Sequence, residues 1–151
     1  MRKAAIFLTL LAFSIISCSR EPYGTVTHRG RNGGADQWVY RIDKDNYKIS
    51  IDTNGDGWAD VVKTYKDNEL VKVESDRNFD GQVDLAQEYS HGVLVRELHD
   101  VDFDGKIETI EEFRNGKLAL VVLDPQEGGD VVIVEYYDDS GNLIRRETRH
   151  R

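Results

Sequence analysis

Asp52-Thr53-Asn54-Gly55-Asp56-Gly57-Trp58-Ala59-Asp60 sets the terms for the whole chain, because it returns twice in altered form. Asp76-Arg77-Asn78-Phe79-Asp80-Gly81-Gln82-Val83-Asp84 follows it, and then Asp100-Val101-Asp102-Phe103-Asp104-Gly105-Lys106-Ile107-Glu108, with 24 residues from each first aspartate to the next. Every copy places an oxygen-bearing side chain at positions 1, 3, 5 and 9 and glycine at position 6. In a tight loop such side chains converge on one centre, and glycine takes the sharp turn without a Cβ penalty, so the pattern suits a hard cation of calcium's size. The candidate ligands are Asp52, Asn54, Asp56 and Asp60, then Asp76, Asn78, Asp80 and Asp84, then Asp100, Asp102, Asp104 and Glu108. Position 7 (Trp58, Gln82, Lys106) would add a backbone carbonyl, which leaves its side chain free to differ between copies.

One such loop alone could be an acidic turn, since Asp, Asn and Gly hydrogen-bond their own backbone. Three in phase, each with an apolar residue at position 8 and an acid at position 9, argue for up to three Ca2+ ions instead. The repeat also runs through the segments between loops. Tyr65, Tyr89, Phe113 and Tyr137 recur at the same interval, as do Leu70, Leu94 and Leu118. Asp67-Asn68, His91-Gly92 and Asn115-Gly116 stand midway between loops, and Asp139-Ser140-Gly141-Asn142 follows with one residue inserted. Asn-Gly between β-favouring runs is the strongest short hairpin signal, and Val61–Tyr65, Leu70–Val73, Gly92–Val95, Leu118–Val122 and Val131–Tyr137 are such runs. Each unit therefore reads as strand, tight turn, strand and cation loop.

Two flanking copies depart from the pattern. At 28–36 the chain keeps Asn32-Gly33 and Asp36 but has His28 and Gly30 at positions 1 and 3, and at 124–132 carboxylates are missing at positions 3 and 5, with Val132 at position 9. Both are expected to hold no metal, as terminal repeats of a stacked array commonly diverge.

The loops resemble the D-x-[DN]-x-[DN]-G loops of EF-hand-like proteins, yet a helical arrangement needs about ten helical residues beside each loop. Here 15 residues separate position 9 from the next position 1, a turn interrupts them, and position 12 is Lys63, Gln87 or Glu111. A loop running into an apolar β-run, as in Gly57-Trp58-Ala59-Asp60-Val61-Val62, is similar to the calcium loops of FG-GAP repeats, although those units are much longer. Tyr136 to Ile144 resembles the YD-type or MORN-like hairpins of bacterial surface proteins. The expected fold is all-β: an antiparallel meander of 24-residue hairpin repeats with calcium loops along one edge, roughly eight to ten strands of about six residues or ~20 Å, as an open sheet or a rolled barrel. The aromatic column is expected to form core, and the third loop, with four acids and Glu111 nearby, to bind calcium most strongly.

At the N-terminus Met1-Arg2-Lys3 precedes thirteen largely apolar residues, Ala4 to Ile16, a run too short to span a bilayer and the right size for a signal segment. It ends on Ile15-Ile16-Ser17-Cys18, which resembles a bacterial lipobox and uses the chain's only cysteine. The resemblance implies acylation of Cys18, a place in the bacterial cell envelope and, from Ser19, retention at the outer membrane. Residues 1–17 then form a lipoprotein signal peptide, 18–36 an N-terminal tether and 37–151 the β-hairpin repeat domain. Loss of residues 1–17 takes the net charge from −8 to −10, and ten acids occupy ligand positions, so the excess charge lies in the proposed sites.

An acidic protein is a poor nucleic-acid binder, so the expected partners are the membrane, through the lipid, and an envelope protein or glycan. The basic run Arg145 to Arg151 reads as a frayed tail or as a contact for anionic headgroups. His28, His91, His99 and His150 form no H-x-x-x-H pair, His91 and His99 read as surface residues, and no phosphate-cradling loop is present. The expectation is therefore no enzyme but a calcium-binding, lipid-anchored structural or interaction module. A ligand-binding envelope lipoprotein whose acidic loops only close turns is the alternative, and a hydrolase is the least favoured class, because like copies in every repeat do not make one active centre.

Overall fold

The computed structural model describes residues 25–28, 36–124 and 131–150. Residues 1–18, with the signal segment and Cys18, lie outside the described residues, as do most of the two degenerate loops.

Among the described residues, β-favouring runs between turn signals give eleven strands: β1 Thr25–His28, β2 Asp36–Arg41, β3 Tyr47–Asp52, β4 Val61–Lys66, β5 Glu69–Ser75, β6 Leu85–Ser90, β7 Val93–His99, β8 Thr109–Arg114, β9 Lys117–Leu123, β10 Val131–Tyr137 and β11 Leu143–His150. They form a single sheet whose order follows the sequence from β1 to β11, each strand antiparallel to the next. The sheet is open, with β1 and β11 as its edges among the described strands. Two points differ from the sequence reading. Thr25–His28, inside the stretch read as a tether, pairs with β2, and the basic run is no frayed tail, because β11 pairs with β10 along its length. Arg146 meets Glu135 at 2.8 Å, Arg149 Nε donates to Glu147 at 2.6 Å, and Arg145 lies 3.9 Å over the Tyr136 ring.

Because a meander sends alternate connections to opposite ends, the loops after β3, β5 and β7 share one end and the tight turns share the other. The turns are left-handed at both central residues, as in Asp67-Asn68 (φ 52 and 62), His91-Gly92 (49 and 75) and Asn115-Gly116 (52 and 74). This is the type I′ geometry that matches strand twist. Each of these hairpins carries a bulge at one place: Thr64 pairs with Lys72 and Tyr65 with Leu70, leaving Val71 extra. Val95, Ala119 and Ile144 are the corresponding extra residues. The aromatic and leucine columns are thus cross-strand partners beside each bulge, Tyr65 with Leu70, Tyr89 with Leu94 and Phe113 with Leu118. They are half-buried rather than core, since among the described residues no second layer covers them.

The buried apolar cluster is small and lies late in the chain, where Leu120, Val132 and Val134 pack with Val122 and Tyr136. Elsewhere both faces carry charge. One face has the row Lys72, Glu88, Arg96 and Glu112, whose signs alternate from strand to strand, and the other has Gln87, Glu97 and Glu111. Opposite charges facing across strands are favourable. Neither face could become the interior of a closed barrel without burying these groups, which physically accounts for the open sheet.

Candidate metal centres

The three loops are built alike down to individual backbone bonds. The position 1 carboxylate accepts the position 4 amide on one oxygen (Gly55 to Asp52 2.6 Å, Phe79 to Asp76 2.7 Å, Phe103 to Asp100 2.7 Å) and the position 6 glycine amide on the other (2.9, 2.8 and 2.8 Å). The position 5 carboxylate accepts the amide of position 7, from Trp58, Gln82 and Lys106. The position 9 carboxylate reaches back across the loop to the position 2 amide, from Thr53 to Asp60 at 2.6 Å, Arg77 to Asp84 at 2.5 Å and Val101 to Glu108 at 2.7 Å. Gly57, Gly81 and Gly105 sit at φ +93, +89 and +87, a conformation that disfavours any side chain. Position 4 is left-handed as well, glycine in the first loop but Phe79 and Phe103 at φ 65 and 66 in the others.

A second set of backbone bonds ties the loops to one another. The position 9 amide donates to the carbonyl just before position 1 (Asp60 to Ile51 2.9 Å, Asp84 to Ser75 2.9 Å, Glu108 to His99 3.1 Å). The next position 1 amide donates to the position 9 carbonyl (Asp76 to Asp60 2.8 Å, Asp100 to Asp84 2.9 Å, Asp124 to Glu108 2.8 Å). Asp124 thus keeps its place in the ladder although its loop lacks ligand residues.

This scaffold gathers the carboxylates. Asp52, Asp56 and Asp60 lie with ligand atoms within 4.8 Å of one another, as do Asp76, Asp80 and Asp84, and Asp100, Asp102, Asp104 and Glu108. The sequence-predicted acids are therefore brought together in three groups, each able to hold a metal ion. Asn54 and Asn78 stand beside the first two groups, accepting the position 5 amide at 2.8 and 3.0 Å and donating Nδ2 to Asp56 and Asp80. Position 1 is buried in all three loops, as is position 9 in the first two (Asp60, Asp84), while Glu108 is half-buried and position 5 is open to solvent throughout. Asp84 is 1% exposed, yet its Oδ1 has no hydrogen-bond partner among the described residues, and the Oε1 atom of half-buried Glu108 is likewise shut from solvent without one. A buried carboxylate oxygen without a donor is costly, and a cation at the focus of the loop would satisfy it. All donors are hard oxygens, which suits calcium, magnesium or manganese over softer metals.

Two expectations about the third loop change. Glu111 does not support it but faces the sheet surface beside Glu97 and His99. Lys106, expected to offer only a carbonyl, reaches Asp104 with its ammonium at 2.6 Å, so a metal there competes with an internal cation. Trp58 stands half-exposed over the gap to the second loop, and Gln82 covers Gly105, where an added Cβ would meet its Oε1 at 2.5 Å.

Sequence reasoning missed the group formed by Glu97, His99 and Glu111, whose ligand atoms also lie within 4.8 Å of one another. His99 is no free surface residue, its ring being only 22% exposed. The available signal was Glu97-Leu98-His99, since strand alternation puts residues two apart on one face.

Burial raises the pKa of Asp84 and Glu108, helped by the neighbouring Asp76 and Asp80 charges for Asp84 and the Asp100 and Asp102 charges for Glu108. Hydrogen bonds lower Asp43, Asp80, Asp138 and Glu147, with Asn46, Asn78, Asn142 and Arg149 respectively as the leading donors. For the raised pair, the folded protein binds its protons more tightly than the unfolded chain. Their destabilising effect is full above the folded values and vanishes as pH falls towards the ordinary 3.8 and 4.5. The lowered groups stabilise above their ordinary values and lose that contribution as pH falls through their depressed ones. Metal-free protein should accordingly gain melting temperature as pH falls from neutrality towards the ordinary carboxylate values of 3.8 and 4.5, and lose it as pH falls below them. A monotonic fall from neutrality in a chelator-treated sample would contradict the strain assigned to Asp84 and Glu108.

No family model matches the chain, and no curated protein does. Among solved structures it is similar to the pneumococcal O-GlcNAc transferase GtfA in complex with UDP and GlcNAc, at 14% identity and a TM-score of 0.44. The match covers 66% of this chain and 20% of that one, so the chain spans about a fifth of the transferase's length. A likeness at this level carries no conclusion about activity.

Proposed function

We propose that this is a calcium-binding, lipid-anchored protein of the bacterial cell envelope, in which three ions occupy the loops and stiffen the loop end of the sheet as a structural or interaction module. The observation that carries the cation reading is Asp84, a carboxylate 1% exposed whose Oδ1 has no partner among the described residues and which shares a focus with Asp76 and Asp80. Calcium is favoured over magnesium because several side-chain oxygens and a carbonyl per loop suit its larger, flexible shell, whereas magnesium holds its waters. The affinity expected is on the order of millimolar to submillimolar, as in extracellular modules. The lipid anchor rests on the lipobox resemblance around Cys18, each buried methylene of an acyl chain contributing about 0.8 kcal/mol. An interaction role is supported by the cleft between the first two loops, where Trp58 and Phe79 stand half-exposed beside Asp56 and Asp80 and offer stacking surfaces to an envelope protein or glycan.

The alternative, an envelope ligand-binding lipoprotein with loops that merely close turns, draws support from the amide bonds that already fold each loop around its carboxylates. Titration calorimetry separates the two: three equivalents of calcium per chain are expected, and no calcium heat in the millimolar range would leave the turn reading standing. Cys18→Ser should move the protein from the membrane fraction to the soluble one, and unchanged fractionation would remove the lipid anchor.

A further inference from the structure

We propose that Glu97, His99 and Glu111 form a separate site, on one face of the sheet, for a divalent transition-metal ion of the zinc class. The loops offer oxygen alone, whereas this group adds an imidazole nitrogen, and mixed imidazole and carboxylate donors are what zinc takes. Register brings the three together: Glu97 and Glu111 face each other directly across β7 and β8, and His99 stands two residues along from Glu97 on the same side.

Three features of the group call for a cation. Like charges directly opposite on neighbouring strands destabilise a sheet, and the rows on the other face avoid this by alternating sign. His99 Nε2 is shut away from solvent, lies 3.4 Å from Glu97 Oε2 and makes no hydrogen bond among the described residues. Two ligands at zinc's usual bond length of about 2.0–2.1 Å in a tetrahedral shell stand about 3.4 Å apart, so this pair already has the required spacing. Gln87 Nε2 donates to the other Glu97 oxygen at 2.6 Å, which holds the carboxylate in that orientation as an outer-shell partner does in known metal sites. With Glu111 as third ligand, the fourth position opens to the solvent side of the sheet and would hold water.

The constellation also breaks the repeat. The equivalent positions one repeat earlier are Val73, Ser75 and Gln87, and one repeat later Val121, Leu123 and Glu135. The 24-residue architecture therefore does not require this triple, as it requires the loop acids. It also supplies substitutions that the fold already accepts: His99→Ser copies Ser75, and Glu111→Gln copies Gln87.

The test is zinc titration of the full chain in excess calcium, which keeps the loops filled, with Co2+ visible absorption as a second readout. One equivalent of zinc is expected, together with the d–d bands of a four-coordinate cobalt site. His99→Ser and Glu111→Gln should each weaken zinc binding at least about tenfold and abolish the cobalt bands. His91→Gln, at an exposed turn, should change nothing. Zinc affinity that survives both site variants, or no zinc binding by the parent, overturns the proposal. Circular dichroism of each variant guards against unfolding, and because calcium binding is read separately, failure here and failure of the calcium reading are distinguishable.

Discussion

In calcium at about ten times its dissociation constant the protein should unfold about 15 °C above its midpoint in a chelator, with magnesium at equal concentration giving only a small part of that shift. A ligand at ten times its dissociation constant stabilises by RT ln 11, about 1.4 kcal/mol per site, so three sites contribute roughly 4 kcal/mol. For a folded region of this size, each kcal/mol moves the midpoint by about 3–5 °C. Mass action is only part of the reason for a large effect. Each loop holds three or four carboxylates with ligand atoms inside 4.8 Å, and successive loops are joined by the position 9 to position 1 backbone bonds. Relief of repulsion in one loop is therefore transmitted to the ladder bond that anchors the next. A rise of only a few degrees in calcium, or an equal rise in magnesium, would sink the calcium reading while leaving the fold untouched.

How much of this could be read beforehand follows from how local each determinant is. The loops and turns were legible because their chemistry is contained within nine and two residues: Gly57, Gly81 and Gly105 must be left-handed wherever the chain goes, and so must Asn115-Gly116. The meander order followed as well, since short turns leave a strand little choice but to pair with its predecessor. The bulges at Val71, Val95 and Ala119 were hidden, because an extra residue in one strand shows only against its partner's register. The choice of open sheet over barrel was hidden for the same reason. It depends on Gln87, Glu97 and Glu111 lining up on one face while Glu88, Arg96 and Glu112 line up on the other, which is a statement about three strands at once. The Glu97, His99 and Glu111 group needed that register too, as its two glutamates lie on either side of the third loop. Strand β1 was missed because Thr25–His28 is only four residues long, too short for its pattern to stand out, and it is placed by pairing with Trp38 and Val39.

Asp84→Asn should change the sign of its effect with the state of the metal. In chelator the substitution removes a buried charge whose pKa is raised chiefly by burial and then by Asp76 and Asp80. A carboxylate pair some 4–5 Å apart repels by about 1 kcal/mol under water-like screening, so the variant should melt about 3–5 °C above the parent. The amide can keep the two backbone bonds now made by Asp84 Oδ2, from Arg77 at 2.5 Å and Asn78 at 3.2 Å, so the loop need not open. In calcium the same change deletes an anionic ligand from the second site, weakening it by tenfold or more, and the variant forfeits about 1.4 kcal/mol that the parent gains there. It should then melt at or below the parent, with one calcium equivalent missing from the titration. Glu108→Gln should behave alike at the third site, since burial also raises the Glu108 pKa and its buried Oε1 has no partner among the described residues. A turn-closing aspartate predicts otherwise: loss of its charge would weaken the loop in both conditions alike. If Asp84→Asn lowers the melting temperature equally with and without calcium, the loops are turns and the assignment of metal to them fails.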